Sequence, residues 1–216
     1  MTILKTALIL STVALISCSA PASKAQTTKT NGKAGQPYEK QFLDMEEAII
    51  AGGCFWCVES DFEKLDGVID VVSGYSGGTL DNPSYNDVTA GGTGHYEVAQ
   101  IIYDPAHITY RELIDHYWET VDPTDSGGQF CDRGDSYRTA IFATPYQMDD
   151  AEESKEYLQL SGRLNKPIIT PILPAVTFYP AEDYHQNYYK KKPVRYKYYR
   201  NSCGRDRRLK ALWGAP

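Results

Sequence analysis

Apolar positions recur with two different periods from residue 48 onward, and glycine and proline turns interrupt them. Alternating or continuous apolar runs predict strands, and runs with a helical period that begin at a cap predict helices. Thr109 and Glu112, for example, form a capping box that opens one helix. The predicted strands cover residues 48–52, 68–75, 95–103, 137–143 and 173–178, and the predicted helices cover residues 58–65, 110–121, 144–164 and 181–189.

The first eight of these elements follow the order β-α-β-β-α-β-α-β, and the short helix over residues 181–189 comes last. Two strands follow one another without an intervening helix, which disfavours a doubly wound parallel sheet. The pattern predicts an α+β fold: a two-layer sandwich with a mixed sheet, helices on one face and a ferredoxin-like core. A long irregular C-terminal tail is predicted over residues 190–216.

The N-terminal residues have the features of an export signal. Lys5 supplies a positive charge, and residues 7–16 form an apolar run too short for an ordinary membrane-spanning helix. The run ends in Leu-Ile-Ser before Cys18, which resembles a bacterial lipobox whose cysteine becomes the lipidated N-terminus. An ordinary signal cleaved after Ala22 is the alternative. Both predict export to an oxidising compartment, the periplasm or cell envelope, and the first predicts a lipid anchor in a membrane.

Composition predicts three regions. Residues 1–18 are a lipoprotein-type signal peptide, and residues 19–37, rich in Ser, Thr, Lys, Gly and Pro, are a flexible tether. Residues 38–216 have the length of one domain, which we predict to be a single catalytic domain.

Basic residues concentrate near the C-terminus although the chain has a net charge of −6. Residues 190–210 contain ten basic residues and one acid, whereas the rest of the chain has 12 basic and 27 acidic residues. Basic residues mixed with tyrosines can mark a nucleic-acid surface. An exported protein seldom meets nucleic acid, so we predict no such partner and expect the tail to wrap over an acidic body.

Candidate chemistry begins at residues 53–57, Gly-Cys-Phe-Trp-Cys. Cys54 is predicted to lie at a strand-to-helix turn, where unpaired N–H groups and the helix dipole favour an anion. A thiol there is expected to lose its proton more easily, and the thiolate is the reactive form. Phe55 and Trp56 add apolar surface, which favours a small, partly apolar ligand.

Two other interpretations of the cysteines stay open. Without Cys18 the chain has four, Cys54, Cys57, Cys131 and Cys203. Four cysteines can bind zinc, but zinc sites usually contain two close pairs, and here one pair is close. Cys54 and Cys57 could also form a thioredoxin-like redox pair.

A carboxylate is predicted on a mostly apolar strand face. Glu97 shares that face with Ala99 and Ile101, so burial would raise its pKa and make it a plausible general acid. A solvent-facing glutamate is the alternative. Asp132, Tyr137 and Tyr85 lie in predicted loops or at strand ends, where binding groups are common but turn residues are commoner.

Six segments are more specific together than singly: residues 53–56 (GCFW), 73–78 (SGYSGG), 83–85 (PSY), 93–97 (TGHYE), 132–138 (DRGDSYR) and 181–186 (AEDYHQ). In this order and spacing they resemble the peptide methionine sulfoxide reductases of the A type. The resemblance covers about residues 46–213, and we predict membership of that family.

The resemblance implies a role for each site residue. Cys54 would attack the sulfoxide sulfur and become a sulfenic acid, with Phe55 and Trp56 forming the pocket for the S-methyl group. The substrate would be the S-epimer of methionine sulfoxide, free or in proteins. Around the sulfoxide oxygen the resemblance places Glu97 as proton donor, Tyr85 and Tyr137 as further contacts, and Asp132 as a residue that orders the site.

Recycling is less clear from the resemblance. The family needs no bound cofactor or metal, and a thioredoxin-like dithiol protein usually supplies the electrons. Many members have two resolving cysteines near the C-terminus, whereas this chain has Cys203 there and Cys57 in place of a common glycine. Cys57 and Cys203 are both candidates to resolve Cys54. We expect a Cys54–Cys57 disulfide first, with Cys203 in a mobile tail able to exchange into it, and Cys131 packed.

Overall fold

A computed structural model of the protein describes residues 45–214. Cys18, the signal peptide and the tether lie outside these residues. The strands are β1 (Glu46–Gly52), β2 (Val68–Ser76), β3 (Tyr96–Tyr103), β4 (Gly128–Gln129), β5 (Asp132–Arg133), β6 (Thr139–Ala143), β7 (Ile172–Pro174) and β8 (Tyr179–Pro180). The helices are α1 (Phe55–Phe62), α2 (Tyr85–Ala90), α3 (Tyr110–Thr120), α4 (Met148–Leu160), α5 (Tyr188–Lys191), α6 (Pro193–Cys203) and α7 (Arg205–Trp213). None of the helices within residues 45–214 is long and apolar enough to cross a bilayer.

Six strands form the main sheet in the order β7-β6-β1-β3-β2-β8. The four central strands follow the β-α-β-β-α-β order and pair antiparallel, as the ferredoxin-like prediction requires. β7 pairs parallel with β6 and makes the sheet mixed. The α+β prediction with a mixed sheet is confirmed.

The main core lies between the sheet and helices α1, α3 and α4. Alternate residues of the central strands point to this side, such as Ala48 and Ile50 of β1 and Ile101 of β3, and all three are buried. Phe62 and Leu113 meet them from the helices. Strand alternation therefore directs the opposite residues to the other face, where a smaller apolar cluster forms.

Three local predictions differ from the structure. The segment from Tyr85 to Ala90 is helical although it was predicted as loop; Ser84 and Asp87 form a capping box that starts it. Residues 181–187 form turns, and the helix begins only at Tyr188. The strand predicted from residue 137 begins at Thr139, because residues 135–137 form a 3₁₀ turn.

The C-terminal tail is helical, contrary to the predicted irregular tail. Pro193 occupies the start of α6, where its missing N–H costs nothing, and Gly204 at φ 74° separates α6 from α7. The predicted wrapping over an acidic body is confirmed by ion pairs to carboxylates outside the tail. These are Lys190–Glu63 (2.6 Å), Arg200–Asp61 (2.8 Å), Arg205–Asp61 (3.7 Å) and Arg208–Asp122 (2.7 Å).

Candidate active site

The turn between β1 and α1 places Cys54 at the helix N-terminus, as predicted. Gly53 precedes it with φ 78°, and a Cβ atom there would lie 2.5 Å from the Cβ of Gln129. Only glycine fits such a position without displacing a neighbour. Cys54 is the N-cap residue of α1 and has non-helical backbone angles. The chain therefore turns sharply and leaves the Cys54 sulfur beside the first turn of the helix.

A cavity of about 270 Å³ opens at this turn. It is lined by Cys54, Phe55, Trp56, Tyr85, Glu97, Asp132, Tyr137, Tyr188, Arg195 and Tyr199. The first seven are the residues predicted for the reaction and the substrate pocket, and they come from α1, α2, β3, β5 and the 3₁₀ turn. The structure therefore brings residues that are far apart in sequence into one small cavity. Cys57 and Cys203, the two resolving candidates, are not among the lining residues.

One wall of the cavity is aromatic. The Trp56 ring stacks on Tyr188 with centroids 3.8 Å apart and planes 7° from parallel, and Tyr199 meets it edge-on at 5.8 Å. The indole N–H donates to Nδ1 of His185 at 3.0 Å, which fixes the tilt of the ring. Phe55 is almost fully buried beside it. The wall is rigid and apolar, so it suits a small apolar group such as a thioether methyl.

Glu97 lies fully buried in β3, on the apolar face that the sequence predicted. Its Oε2 accepts the backbone N–H of Phe55 at 3.1 Å. Burial raises the pKa of Glu97 to about 8, and the charge of Asp132 adds to the rise. Near neutral pH the carboxyl is therefore mostly protonated and can donate a proton into the cavity.

The Cys54 thiol is less acidic than the sequence predicted. Burial raises its pKa well above the ordinary value, and the adjacent thiol of Cys57 and the charge of Glu97 add to the effect. Helix N–H groups were expected to stabilise a thiolate, but the N–H of Phe55 is donated to Glu97 instead. Cys54 is therefore a protonated thiol near neutral pH.

Phenol groups and a second carboxylate complete the polar side of the cavity. Burial raises the pKa of Tyr85 and of Tyr137, and the neighbouring Glu97 adds to both shifts, so both hydroxyls are neutral donors. Asp132 lies in β5 and accepts the hydroxyl of Tyr199, and burial raises its pKa too. Donors therefore face the point where a substrate oxygen could lie.

The four cysteines form two separate groups. Cys131 and Cys203 are joined by a disulfide, whereas Cys54 and Cys57 are free and buried. This pairing corrects the expectation that Cys131 is packed and that Cys203 is in a mobile tail, because Cys203 ends α6 and is tied to the β4–β5 loop. Within residues 45–214 no four-cysteine zinc cluster forms.

Comparison with known proteins identifies the family. The family model described as peptide methionine sulfoxide reductase matches residues 46–216. This chain belongs to the peptide methionine sulfoxide reductase family. MsrA 2 of Caulobacter vibrioides is 53% identical over 170 residues, which cover 78% of this chain and 86% of that protein. MsrA of Halalkalibacterium halodurans is 51% identical over 174 residues, which cover 79% and 97%.

Solved structures of the family have the same fold. Reduced Mxr1 from Saccharomyces cerevisiae superposes with a TM-score of 0.66 at 35% identity and covers 70% of this chain and 88% of that one. Methionine sulfoxide reductase A of Corynebacterium diphtheriae superposes with a TM-score of 0.58 at 33% identity and covers 74% and 78%. The predicted family and fold class are therefore confirmed, and the protein is an enzyme of the methionine sulfoxide reductase type.

Several residues that build the site had no predicted role. Within the segment 181–186, Glu182 accepts the Tyr85 backbone N–H (2.9 Å) and the Tyr75 hydroxyl (3.0 Å), His185 holds Trp56, and Gln186 pairs with the backbone of Ser73. The family motif itself was the signal that could have identified them. The lining residues Tyr188, Arg195 and Tyr199 had no such signal, because they reach the cavity only when the tail folds back.

Proposed function

We propose that this enzyme reduces methionine-S-sulfoxide, free or in proteins, to methionine, and thereby repairs oxidative damage. One observation carries the proposal: a buried thiol, a protonated carboxyl and an aromatic wall line the same small cavity. Sulfoxide reduction needs these three features, since the sulfur needs a nucleophile, the oxygen a proton and the methyl group an apolar contact.

Substrate orientation follows from the two sides of the cavity. The S-methyl group lies against Phe55 and Trp56, and the sulfoxide oxygen faces Glu97 and the hydroxyls of Tyr85 and Tyr137. Neutral donors aimed at an oxygen that becomes more basic lower the barrier to its protonation. Asp132 and Tyr199 hold one another in place at the edge of this group.

Transfer of the sulfoxide oxygen to Cys54 begins with the transfer of a proton. Glu97 donates its proton to the sulfoxide oxygen, which leaves positive charge on the sulfur close to Cys54. That charge lowers the pKa of the Cys54 thiol, whose proton passes to the Glu97 carboxylate as the thiolate attacks. The attack forms an S–S bond between Cys54 and the sulfoxide sulfur. That bond and the S–O bond then break as the hydroxyl group moves to the Cys54 sulfur, and the electron pair that bound the hydroxyl group remains on the methionine sulfur. The products are methionine, reduced by two electrons, and a Cys54 sulfenic acid.

Cys57 is proposed as the first thiol to react with the sulfenic acid. In the reduced enzyme the adjacent thiol of Cys54 lowers the pKa of Cys57 to about 7, and the charges of Arg205 and Arg200, which persist after Cys54 is oxidised, contribute to the shift. Cys54 is the N-cap of α1, and its carbonyl accepts the backbone N–H of Cys57 at 3.0 Å, so the disulfide forms at the first turn and the frayed end of the helix can adjust to it. Their disulfide forms with loss of water, and a thioredoxin-like dithiol protein is the proposed reductant. Cys203, the alternative resolving cysteine, is already bonded to Cys131 in a disulfide.

Replacing Cys57 with serine is expected to stop recycling after one turnover. The variant forms one methionine per enzyme molecule and then accumulates the sulfenic acid. Cys203→Ser is the matched control, and with thioredoxin as the reductant of both variants it is expected to continue turning over. The measurement is methionine formed per enzyme, with peptide mapping of the oxidised product. Normal recycling by Cys57→Ser together with arrest of Cys203→Ser would assign the role to the tail cysteine.

A thiol–disulfide oxidoreductase using Cys54 and Cys57 was the second candidate. That function was expected to come with a thioredoxin-like sheet, whereas the observed sheet has the ferredoxin-like order. It also gives the buried Glu97 and the tyrosine hydroxyls no role in the reaction. The cavity therefore favours sulfoxide reduction.

Turnover of the two separate epimers of methionine sulfoxide, with a dithiol reductant, tests the proposed function. The S-epimer is expected to be reduced and the R-epimer is not. The R-epimer differs from the S-epimer by an exchange of the oxygen and the lone pair on sulfur. When Trp56 holds the methyl group of the R-epimer, the oxygen therefore points away from Glu97. Equal reduction of both epimers, or reduction of neither, contradicts the proposal.

Export is proposed from the sequence, and residues 45–214 do not bear on it. The lipobox-like sequence before Cys18 supports a periplasmic or envelope protein with a lipid anchor. The intact mass of the membrane fraction would then include acyl groups on an N-terminal cysteine. A mature chain that begins at another residue would contradict the anchor.

A further inference from the structure

Eight of the ten basic residues of the tail fall into two groups with different surroundings. One group pairs with carboxylates of the body and fixes the tail: Lys190, Arg200, Arg205 and Arg208. The second group is exposed and forms no ion pair with any residue in the range 45–214: Lys191, Lys192, Arg195 and Lys197. The first group explains how the tail is held, so the second needs a different explanation.

Three residues of the second group, Lys191, Lys192 and Arg195, line a groove beside the active site. This α5–α6 groove has a volume of about 550 Å³ and is lined by Lys191, Lys192, Pro193, Val194, Arg195 and Tyr198. Arg195 lines both the groove and the cavity that contains Cys54. The groove therefore adjoins the cavity at Arg195, so a polypeptide whose oxidised methionine enters the cavity passes beside the groove.

Apolar side chains accompany the charges. Val194 and Tyr198 are 82% and 75% exposed, and both line the groove. Basic groups beside exposed apolar groups fit a polypeptide that carries carboxylates. A small neutral ligand would need neither the basic groups nor the exposed apolar groups for binding.

We propose that the α5–α6 groove binds acidic residues that flank the oxidised methionine of a polypeptide substrate. The inference rests on the proposed function and names the substrates that it favours. From Lys192 to Tyr198 the helix rises by about 10 Å, the length of about three residues of extended peptide. The favoured carboxylates therefore lie within about three positions of the oxidised methionine. Arg195 at the junction offers the planar fork that carboxylates accept.

An anionic membrane surface is the competing occupant, because lysines and an exposed tyrosine also suit phospholipid headgroups. The position of Arg195 on both the groove and the cavity favours the substrate. A membrane contact would have no reason to share Arg195 with the pocket that holds the reacting thiol.

The test compares peptides of equal length that contain one methionine-S-sulfoxide flanked on both sides by aspartate, by glycine or by lysine. The full-length enzyme is expected to favour the aspartate peptide over the glycine peptide by about fivefold or more in kcat/KM, the effect of two or three exposed ion pairs. The preference should vanish near 1 M salt, where the screening length is about 3 Å. Lys191→Glu combined with Lys192→Glu is expected to remove or reverse it. Lys166→Glu combined with Lys210→Glu changes the net charge equally and should retain it.

The other outcomes overturn the groove proposal, the proposed function or both. Reduction of all three peptides at equal rates overturns the groove proposal and leaves the proposed function standing. Reduction of none of them overturns the proposed function as well. A preference that survives in the Lys191→Glu, Lys192→Glu variant places acidic recognition elsewhere and overturns the assignment. Equal peptide rates together with salt-sensitive binding to phosphatidylglycerol vesicles assign the surface to the membrane.

Discussion

Replacing Cys54 with serine is expected to lower reduction of methionine-S-sulfoxide on the order of 10⁴-fold or more, to the background rate. Oxygen transfer requires an atom that can accept the sulfoxide oxygen and form a stable product. Sulfur does so as a sulfenic acid, whereas a serine oxygen would have to form a peroxide. The measurement is methionine produced in a single turnover with excess enzyme, so that recycling does not enter.

Cys57→Ser is the matched control for this prediction. Both thiols are buried at the start of α1, and serine is close to cysteine in size, so both variants are expected to fold. The control should still form one methionine per enzyme molecule, and Cys54→Ser should form none. A full single turnover by Cys54→Ser, with arrest of Cys57→Ser, would transfer the nucleophile to Cys57.

Local patterns explain why so much of the site could be predicted. Cys54, Glu97 and Tyr137 each lie in a short segment whose order matches the family, and each segment keeps its place because the β-α-β-β-α-β order defines the sheet. Burial of Glu97 followed from counting by twos along β3. These features depend on neighbours in sequence, and such neighbours are visible in a single chain.

Features that depend on distant contacts could not be predicted. The Cys131–Cys203 disulfide joins residues 72 positions apart, and spacing does not determine pairing. The tail helices lack a strong apolar period because tyrosines and ion pairs hold them to the body. Tyr199 therefore reaches Asp132 only through tertiary packing.

The acidity of Cys54 shows how one contact can reverse a local rule. A helix N-terminus lowers the pKa of a thiol when its N–H groups are free to solvate the sulfur. Here Glu97 accepts the N–H of Phe55, and burial then dominates. The rule requires a free N–H beside the sulfur, but the N–H of Phe55 is donated to Glu97, 42 positions further along the chain.

Replacing Glu97 with glutamine is expected to slow the chemical step by about 10²–10⁴-fold. Glutamine retains a polar group of the same size but cannot transfer a proton to the sulfoxide oxygen. In the wild type the single-turnover rate should fall as pH rises through about 8, because ionisation of Glu97 removes the proton. The variant should lack this decline. Single-turnover conditions remove the recycling role of Cys57, and the same pH series in Cys57→Ser removes the influence of its ionisation, with a pKa of about 7, on the Cys54 thiol.

Glu59→Gln provides the matched control. Glu59 is also a buried carboxyl whose pKa burial raises, to about 7, but it accepts the backbone N–H of Asn187 and does not line the cavity. Its replacement is expected to leave the single-turnover rate within a few-fold of the wild type. Equal slowing by both variants would mean that loss of a buried carboxyl, and not loss of a proton donor, accounts for the effect.

The stability of the two variants distinguishes protonation from catalysis. A carboxyl whose pKa is raised on folding stabilises the folded state fully below its ordinary value of 4.5, and this contribution is lost as pH rises through the folded value. Each glutamine variant should therefore gain stability relative to the wild type as the pH rises. For Glu97→Gln the gain develops between pH 4.5 and about 8, and for Glu59→Gln between pH 4.5 and about 7. Thermal unfolding at several pH values measures this gain. A gain in both variants with slow chemistry only in Glu97→Gln assigns the proton to Glu97, whereas a wild-type rate that does not change up to pH 9 would show that Glu97 only packs.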